Sequence, residues 1–270
     1  MNDRDTIRAA LAEFVGPFAL VAAGVGAIIS TQNLADGGNL VAVALAHGLA
    51  IGVMIAALGH VSGGHFNPAV TISMLAAGEI ALPKAIMYIV AQVLGGTAAA
   101  GVLTLVFPAL GTLGRNNPGV NLGVLGLGPD VTVTGGIIME IVMTFFLVLV
   151  VFGTAVDPRG AKAIAPLAIG LTISIDILFG GRVTGAAMNP ARATGPALVQ
   201  QDFSLLWLYW VGPIIGGLLA AAAYKYLWLD RDEPATRLVR RSVADVEPIA
   251  AGTPPPAPKP APPKRRSSRR

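Results

Sequence analysis

The chain is 270 residues long, 54% hydrophobic and 13% charged, with a net charge of +4 and no cysteine. So apolar a composition belongs to a chain whose solvent is lipid. The missing cysteine excludes disulfides, thiolate chemistry and cysteine-ligated metals.

The first apolar stretch, Ile7 to Ile29, is longer than the apolar part of a secretory signal, and no small-residue cleavage pattern follows it. It is therefore read as a retained span, and Leu40 to Leu58 as a second. A Gly-rich turn then leads into Asn67-Pro68-Ala69. Asn is a favoured N-cap, and Pro suits the first helical position because its missing N–H is one that the first turn leaves unpaired anyway. The apolar run from Ala69 to Ala77 is about nine residues, on the order of 14 Å of helix, roughly half of a ~30 Å hydrocarbon core. It predicts a half-helix.

A third span covers Lys84 to Val106, and the Gly-rich connection Pro108 to Thr132, which has no His, is expected to cross the outer mouth. Fourth and fifth spans follow, Gly135 to Ala155 and Ile164 to Phe179 with one further turn. Asn189-Pro190-Ala191 then opens a second half-length stretch to Val199, and Ser204 to Leu227 is the sixth span. From Leu229 onward the chain carries ten Lys/Arg against five Asp/Glu, so the basic balance belongs to this segment. Its Pro-rich Thr253 to Pro263 and basic Lys264 to Arg270 read as a disordered arm.

The two halves repeat. Glu13 in the first span matches Glu140 in the fourth, and Ser62-Gly63-Gly64-His65-Phe66-Asn67-Pro68-Ala69 matches Thr184-Gly185-Ala186-Ala187-Met188-Asn189-Pro190-Ala191. The expected organisation is a first repeat over 1–107, an extracellular connection over 108–132, a second repeat over 133–228 and a cytoplasmic tail over 229–270. Three spans is an odd number, so the second half enters the membrane from the opposite face and the two half-helices approach one another from opposite sides. Arg4, Arg8, Lys84, Arg159, Lys162, Lys225 and Arg231 fall on one side, against Arg115 and Arg182 on the other, which predicts cytoplasmic termini. The expected location is the plasma membrane.

Over about residues 8 to 228 the chain resembles the aquaporin (major intrinsic protein) family. The resemblance rests on Ser62 to Thr71, on Met188-Asn189-Pro190-Ala191-Arg192 with Gly195-Pro196, and on the repeat-start glutamates. It implies an all-α membrane protein: an aquaporin-like bundle of six transmembrane helices plus two re-entrant half-helices in an inverted repeat, packed as a homotetramer in the bilayer with a pore through each monomer. It further implies that Asn67, Pro68, Ala69, Asn189, Pro190 and Ala191 form the narrow midplane, that His65 lines the lumen, and that Glu13 and Glu140 accept hydrogen bonds that hold the re-entrant loops. By the family's offsets from the two motifs, the outer selectivity filter is His47, Ile177, Ala186 and Arg192, a set similar to that of plant vacuolar (tonoplast-type) members.

The residues carry a mechanism. An Asn that caps its own half-helix has a fixed amide, so a passing water accepts from it and turns its own hydrogens away. Each half-helix N-terminus adds roughly half a positive charge at the midplane, repelling cations. The expected function is a passive water channel, also permeable to ammonia, hydrogen peroxide and urea, that excludes protons and ions. A glycerol facilitator is the alternative, but it would typically carry Asp after the filter Arg, where this chain has Ala193, and would lack the aromatic pair Tyr209-Trp210. A secondary transporter shares the inverted repeat but needs a coupling-ion site, and no carboxylate adjoins the half-helix tips. No catalytic triad, metal set, phosphate loop, cofactor motif or nucleic-acid surface is legible. Asp176 is expected as a vestibule charge near Arg182 or a protonated interfacial group, and His60 as a cytoplasmic loop residue.

Overall fold

The computed structural model describes residues 3–31, 39–107 and 122–229, and all regular structure among them is helical. Six segments are long and apolar enough to cross a membrane. In the first half these are α1 (Asp3–Thr31), α2 (Leu40–Ser62) and α4 (Leu82–Val106), with the short α3 (Pro68–Ala77) after α2. The second half has α5 (Val133–Val151), α6 (Ala165–Thr184) and α8 (Leu208–Ala223), with the short α7 (Pro190–Gln200) after α6. Each short helix starts on the motif Pro, and glycines in the left-handed region, Gly63 and Gly185, end the spans before the two re-entrant turns.

The halves interlock. The half-helix of each repeat packs on a span of the other, α3 on α8 and α7 on α4, while α2 packs on α6. These approaches need glycine. A Cβ on Gly95 would stand 2.1 Å from the Phe14 carbonyl oxygen, and one on Gly216 would stand 2.3 Å from that of Ile141, the same contact in each repeat. Where α2 crosses α6, Gly48 and Gly170 face each other reciprocally, and a Cβ on either would lie 2.3 or 2.5 Å from the other's carbonyl oxygen. Small residues let helix backbones meet where lipid supplies no hydrophobic drive. Large apolar side chains such as Leu105, Ile7 and Ile175 point outward.

Both α5 and α8 finish in a π-helical turn, Phe152–Val156 and Tyr224–Trp228, and the two turns pack together with the Phe152 and Tyr224 rings 6.0 Å apart. Asp157 closes this end. It accepts from the Arg159 backbone N–H at 2.8 Å, from the Arg159 guanidinium at 2.7 Å and from the Tyr224 hydroxyl at 3.0 Å. Arg159 also donates to the Trp228 carbonyl, and Lys225 donates to the last carbonyl of α3, Ala77, at 2.9 Å. The α5–α6 connection and the first half-helix are thus both fastened to the end of the last span.

One placement differs from expectation: His60 lies in the last turn of α2 because the helix runs one turn beyond the apolar stretch. The expectations for Pro108 to Asn121, including Arg115, and for the tail from residue 230 fall outside the described residues.

Replacing Gly95 by Val should abolish recovery of a monodisperse protein in detergent, whereas Val at Gly101 in the same helix, where a Cβ meets nothing within 4 Å, should leave it unchanged. Size-exclusion profiles at equal expression decide this. The hydrogen bonds from Arg159 hold the Asp157 carboxyl down to about 2. An unfolded Asp titrates near ~3.9, so the stabilisation by Asp157 is complete above that pH and lost as pH falls through about 2. Asp157→Asn should therefore lower the thermal midpoint at pH 7, and the gap from wild type should narrow steadily below pH ~4.

Candidate functional site

The site is built on two crossed caps. Asn67 and Asn189 are extended residues whose side-chain oxygens accept from the backbone N–H two residues on, at 2.9 Å from Ala69 and 3.0 Å from Ala191. An N-cap of this kind stabilises a helix by about 1 kcal/mol. The amide nitrogens cross between the repeats: Asn67 Nδ2 donates to the Met188 carbonyl at 2.8 Å, and Asn189 Nδ2 to that of Phe66 at 2.9 Å. Phe66 and Met188 sit in the left-handed region, with φ of 49° and 51°, which costs a non-glycine residue energy and turns each carbonyl to the opposite loop. Each Asn amide has two hydrogens. One is committed across the repeat, so one is left to face the lumen, a division that sequence reasoning did not foresee.

Two buried glutamates hold the turns that lead into these caps. Glu13 takes four donors, Ser62 Oγ at 2.6 Å, the His65 N–H at 3.0 Å, the Phe66 N–H at 2.7 Å and Gln92 Nε2 at 2.6 Å. Glu140 takes three, Thr184 Oγ1 at 2.6 Å, the Ala187 N–H at 2.9 Å and the Met188 N–H at 2.8 Å. Tyr88 and Tyr209 brace the preceding residue in matching fashion, donating to the carbonyls of Ser62 and Thr184 at 2.6 and 2.7 Å. Four residues beyond each tyrosine stand Gln92 and Pro213, which is why Glu140 has one donor fewer. Sequence reasoning missed Tyr88, Gln92 and this role of Tyr209, although the similar Tyr spacing in the two halves, 26 residues after Ser62 and 25 after Thr184, was a usable signal.

One cavity is lined by Asn67, Asn189, His65, His47, Ile177, Ala186 and Arg192 together, with residues from both repeats. Much of its remaining wall is apolar, including Ile51, Val70, Met74, Leu147 and Ile173. Pro68, Ala69, Pro190 and Ala191 are fully packed behind the asparagines. His65 Nδ1 lies 3.1 Å from Thr71 Oγ1, and its ring meets Tyr88 edge to face at 5.3 Å. His47 donates from Nδ1 to the Val43 carbonyl at 2.8 Å, and a Cβ on Gly24 would strike its ring at 2.3 Å. Arg192 is 2% exposed and donates from a terminal nitrogen to the Gly123 carbonyl at 2.6 Å.

Asp176 is not a vestibule charge. It is 1% exposed, lies outside the lining of both the cavity and the open pocket that holds Arg182, and its Oδ2 has no hydrogen-bond partner. One residue's rotation on α6 turns it away from the cavity that Ile177 lines. Ala193 and Tyr209 pack together in an apolar cluster, and the Trp210 ring N–H donates to Thr194 at 3.0 Å, so neither aromatic faces the lumen. Among the described residues no three acidic or His side chains group as a metal site.

The family model described as "Major intrinsic protein" matches residues 1–224. The chain is 45% identical over 234 residues to "Aquaporin TIP4-4" of Zea mays, covering 84% of this chain and 89% of that protein. It is likewise 45% identical to "Probable aquaporin TIP3-2" of Arabidopsis thaliana, over 83% of this chain and 84% of the relative. The X-ray structure of the aquaglyceroporin from Plasmodium falciparum superposes with a TM-score of 0.74 at 24% identity, over 82% of this chain and 96% of that one, a likeness of fold. The relatives bearing the tonoplast designation give no support to a plasma-membrane location.

Removing either glutamate strands the donors it holds. Glu13→Ala takes the acceptor from four donors, of which Gln92 Nε2 keeps a bond to Thr71, and Glu140→Ala takes it from three, so each should destabilise the protein by several kcal/mol, about 3 or more. The check is the denaturation midpoint in detergent. Glu→Gln at either position should fall between wild type and Ala, because the amide keeps one acceptor oxygen.

Proposed function

The chain belongs to the major intrinsic protein (aquaporin) family, an integral multi-pass membrane protein, and from that premise we propose that it is a passive water channel that also leaks small neutral solutes. The observation that carries this reading is the crossed pair of capped asparagines on one cavity that continues to Arg192. Water that accepts from the free hydrogens of Asn67 and Asn189 points its own hydrogens away on both sides, which interrupts a proton wire. The two half-helix N-termini and Arg192 add positive potential where water is stripped to single file, and cations are refused there. This reasoning is general to aquaporin-type pores; the residue assignment is what is proposed for this chain.

The solute range follows from the filter. Ile177 and Ala186 leave one wall without a polar side chain, and His47 is smaller than a phenylalanine, so the opening suits ammonia, hydrogen peroxide and urea as well as water. We further propose cytoplasmic termini, on the side of Lys84, Arg159 and Lys162, and a homotetramer. The apolar outer faces of the spans fit both lipid and neighbouring copies.

Stopped-flow light scattering on proteoliposomes tests the proposal. Water and urea should both equilibrate faster than in bare vesicles, with flux linear in gradient. His47→Phe should keep the water rate and cut urea about tenfold, the scale of discrimination that one side-chain size change gives. Urea flux no faster than in bare lipid, beside fast water, would remove the widened filter.

A further inference from the structure

We infer that Leu122 and Gln200, acting through the carbonyl of Gly123, position Arg192 and thereby set the channel's solute range; this rests on the channel reading above. The guanidinium has one hydrogen bond among the described residues, from its terminal nitrogen to the Gly123 carbonyl at 2.6 Å, and its buried Nε has none. A long, flexible cation in a narrow passage stays where its partner holds it. The filter residues opposite, Ile177 and Ala186, offer no side-chain acceptor that would compete.

Gly123 belongs to the connection between the repeats and is itself held from two directions. Its φ of 74° is a conformation that favours glycine, and a Cβ there would press on Val25 at 2.9 Å. Just before it, Leu122 is fully buried in an apolar cluster with Val21, Val25 and Leu103, which pins the connection to α1 and α4. The Leu122 N–H donates to Gln200 Oε1 at 3.3 Å. Gln200 is the last residue of α7, and Arg192 lies in the first turn of that same half-helix. The path therefore closes on itself: α7 carries the arginine at one end and, at the other, grips the connection whose next carbonyl fixes that arginine. Leu122 and Gln200 are positioning residues, since neither lines the cavity.

The experiment uses the full chain in proteoliposomes and reads the ratio of urea to water permeability. Gln200→Met and Leu122→Ala should each raise that ratio about fivefold, the scale that losing one neutral hydrogen bond permits. Gln200→Glu keeps an acceptor oxygen and should retain the wild-type ratio. A role in folding alone would lower water and urea together and leave the ratio fixed, and that result overturns the inference. If Leu122→Ala does not fold, Gln200→Met decides alone. A crystal structure of Gln200→Met gives a readout independent of flux: the guanidinium should leave Gly123, and finding it still bound there overturns the inference even if the channel reading fails for other reasons.

Discussion

A chain that breaks its helices at the centre of a bilayer must satisfy every backbone N–H it turns away from the lumen, because neither lipid nor packed protein supplies water there. That demand governs the whole arrangement. The two re-entrant turns expose N–H groups at His65, Phe66, Ala187 and Met188, and buried carboxylates from α1 and α5 receive all four. A carboxylate supplies several acceptor positions at one point, so a single side chain serves two N–H groups and a hydroxyl at once. The glycine contacts follow from the same need. Glu13 is next to Phe14, whose carbonyl touches Gly95, and Glu140 is next to Ile141, whose carbonyl touches Gly216, so the close helix approach delivers each glutamate to its turn.

The crossed amides convert two separately supported turns into one object. Each asparagine caps its own half-helix and donates to the other repeat, so shifting either half-helix breaks bonds in both halves. Strain at Phe66 and Met188 is sustained because the glutamates, the tyrosines and the opposing amides determine those turns from several sides. The proposed selectivity depends on this rigidity: a lone file of water is oriented only by donors that do not follow it.

Much of this was legible in the sequence because it is local. Asn-Pro predicts a cap, glycine after an apolar run predicts a stop, and span length follows from hydropathy, so the six spans, both half-helices and the inverted repeat could be read directly. The illegible parts join residues far apart in the chain with no pattern that singles them out. Gly123 is one glycine among several in its connection, and nothing near it announces a bond to Arg192. Asp157 and Tyr224 meet only because two π-helical turns face each other, and periodicity does not predict π turns. Asp176 is a different case: its place one helical step, about 100°, from Ile177 leaves both a vestibule charge and an interfacial group open in the sequence, and its burial removes the first.

The repeat is most informative where it fails. Val70 and Thr71 of the first half-helix stand where the second has Arg192 and Ala193, and Gln92 stands where the second has Pro213. In the first half the extra polar residues are spent inside the support: Gln92 bonds both Glu13 and Thr71, and Thr71 lies against His65. In the second half that link is absent and the polar group at the half-helix tip, Arg192, reaches out to the connection at Gly123. The two ends of one symmetric frame have thus diverged, the first toward internal cross-linking and the second toward a charged side chain held by a segment outside the repeat. A frame whose midplane is fixed by matched contacts holds the asparagines independently of the side chains that stand at the Arg192 end of the cavity.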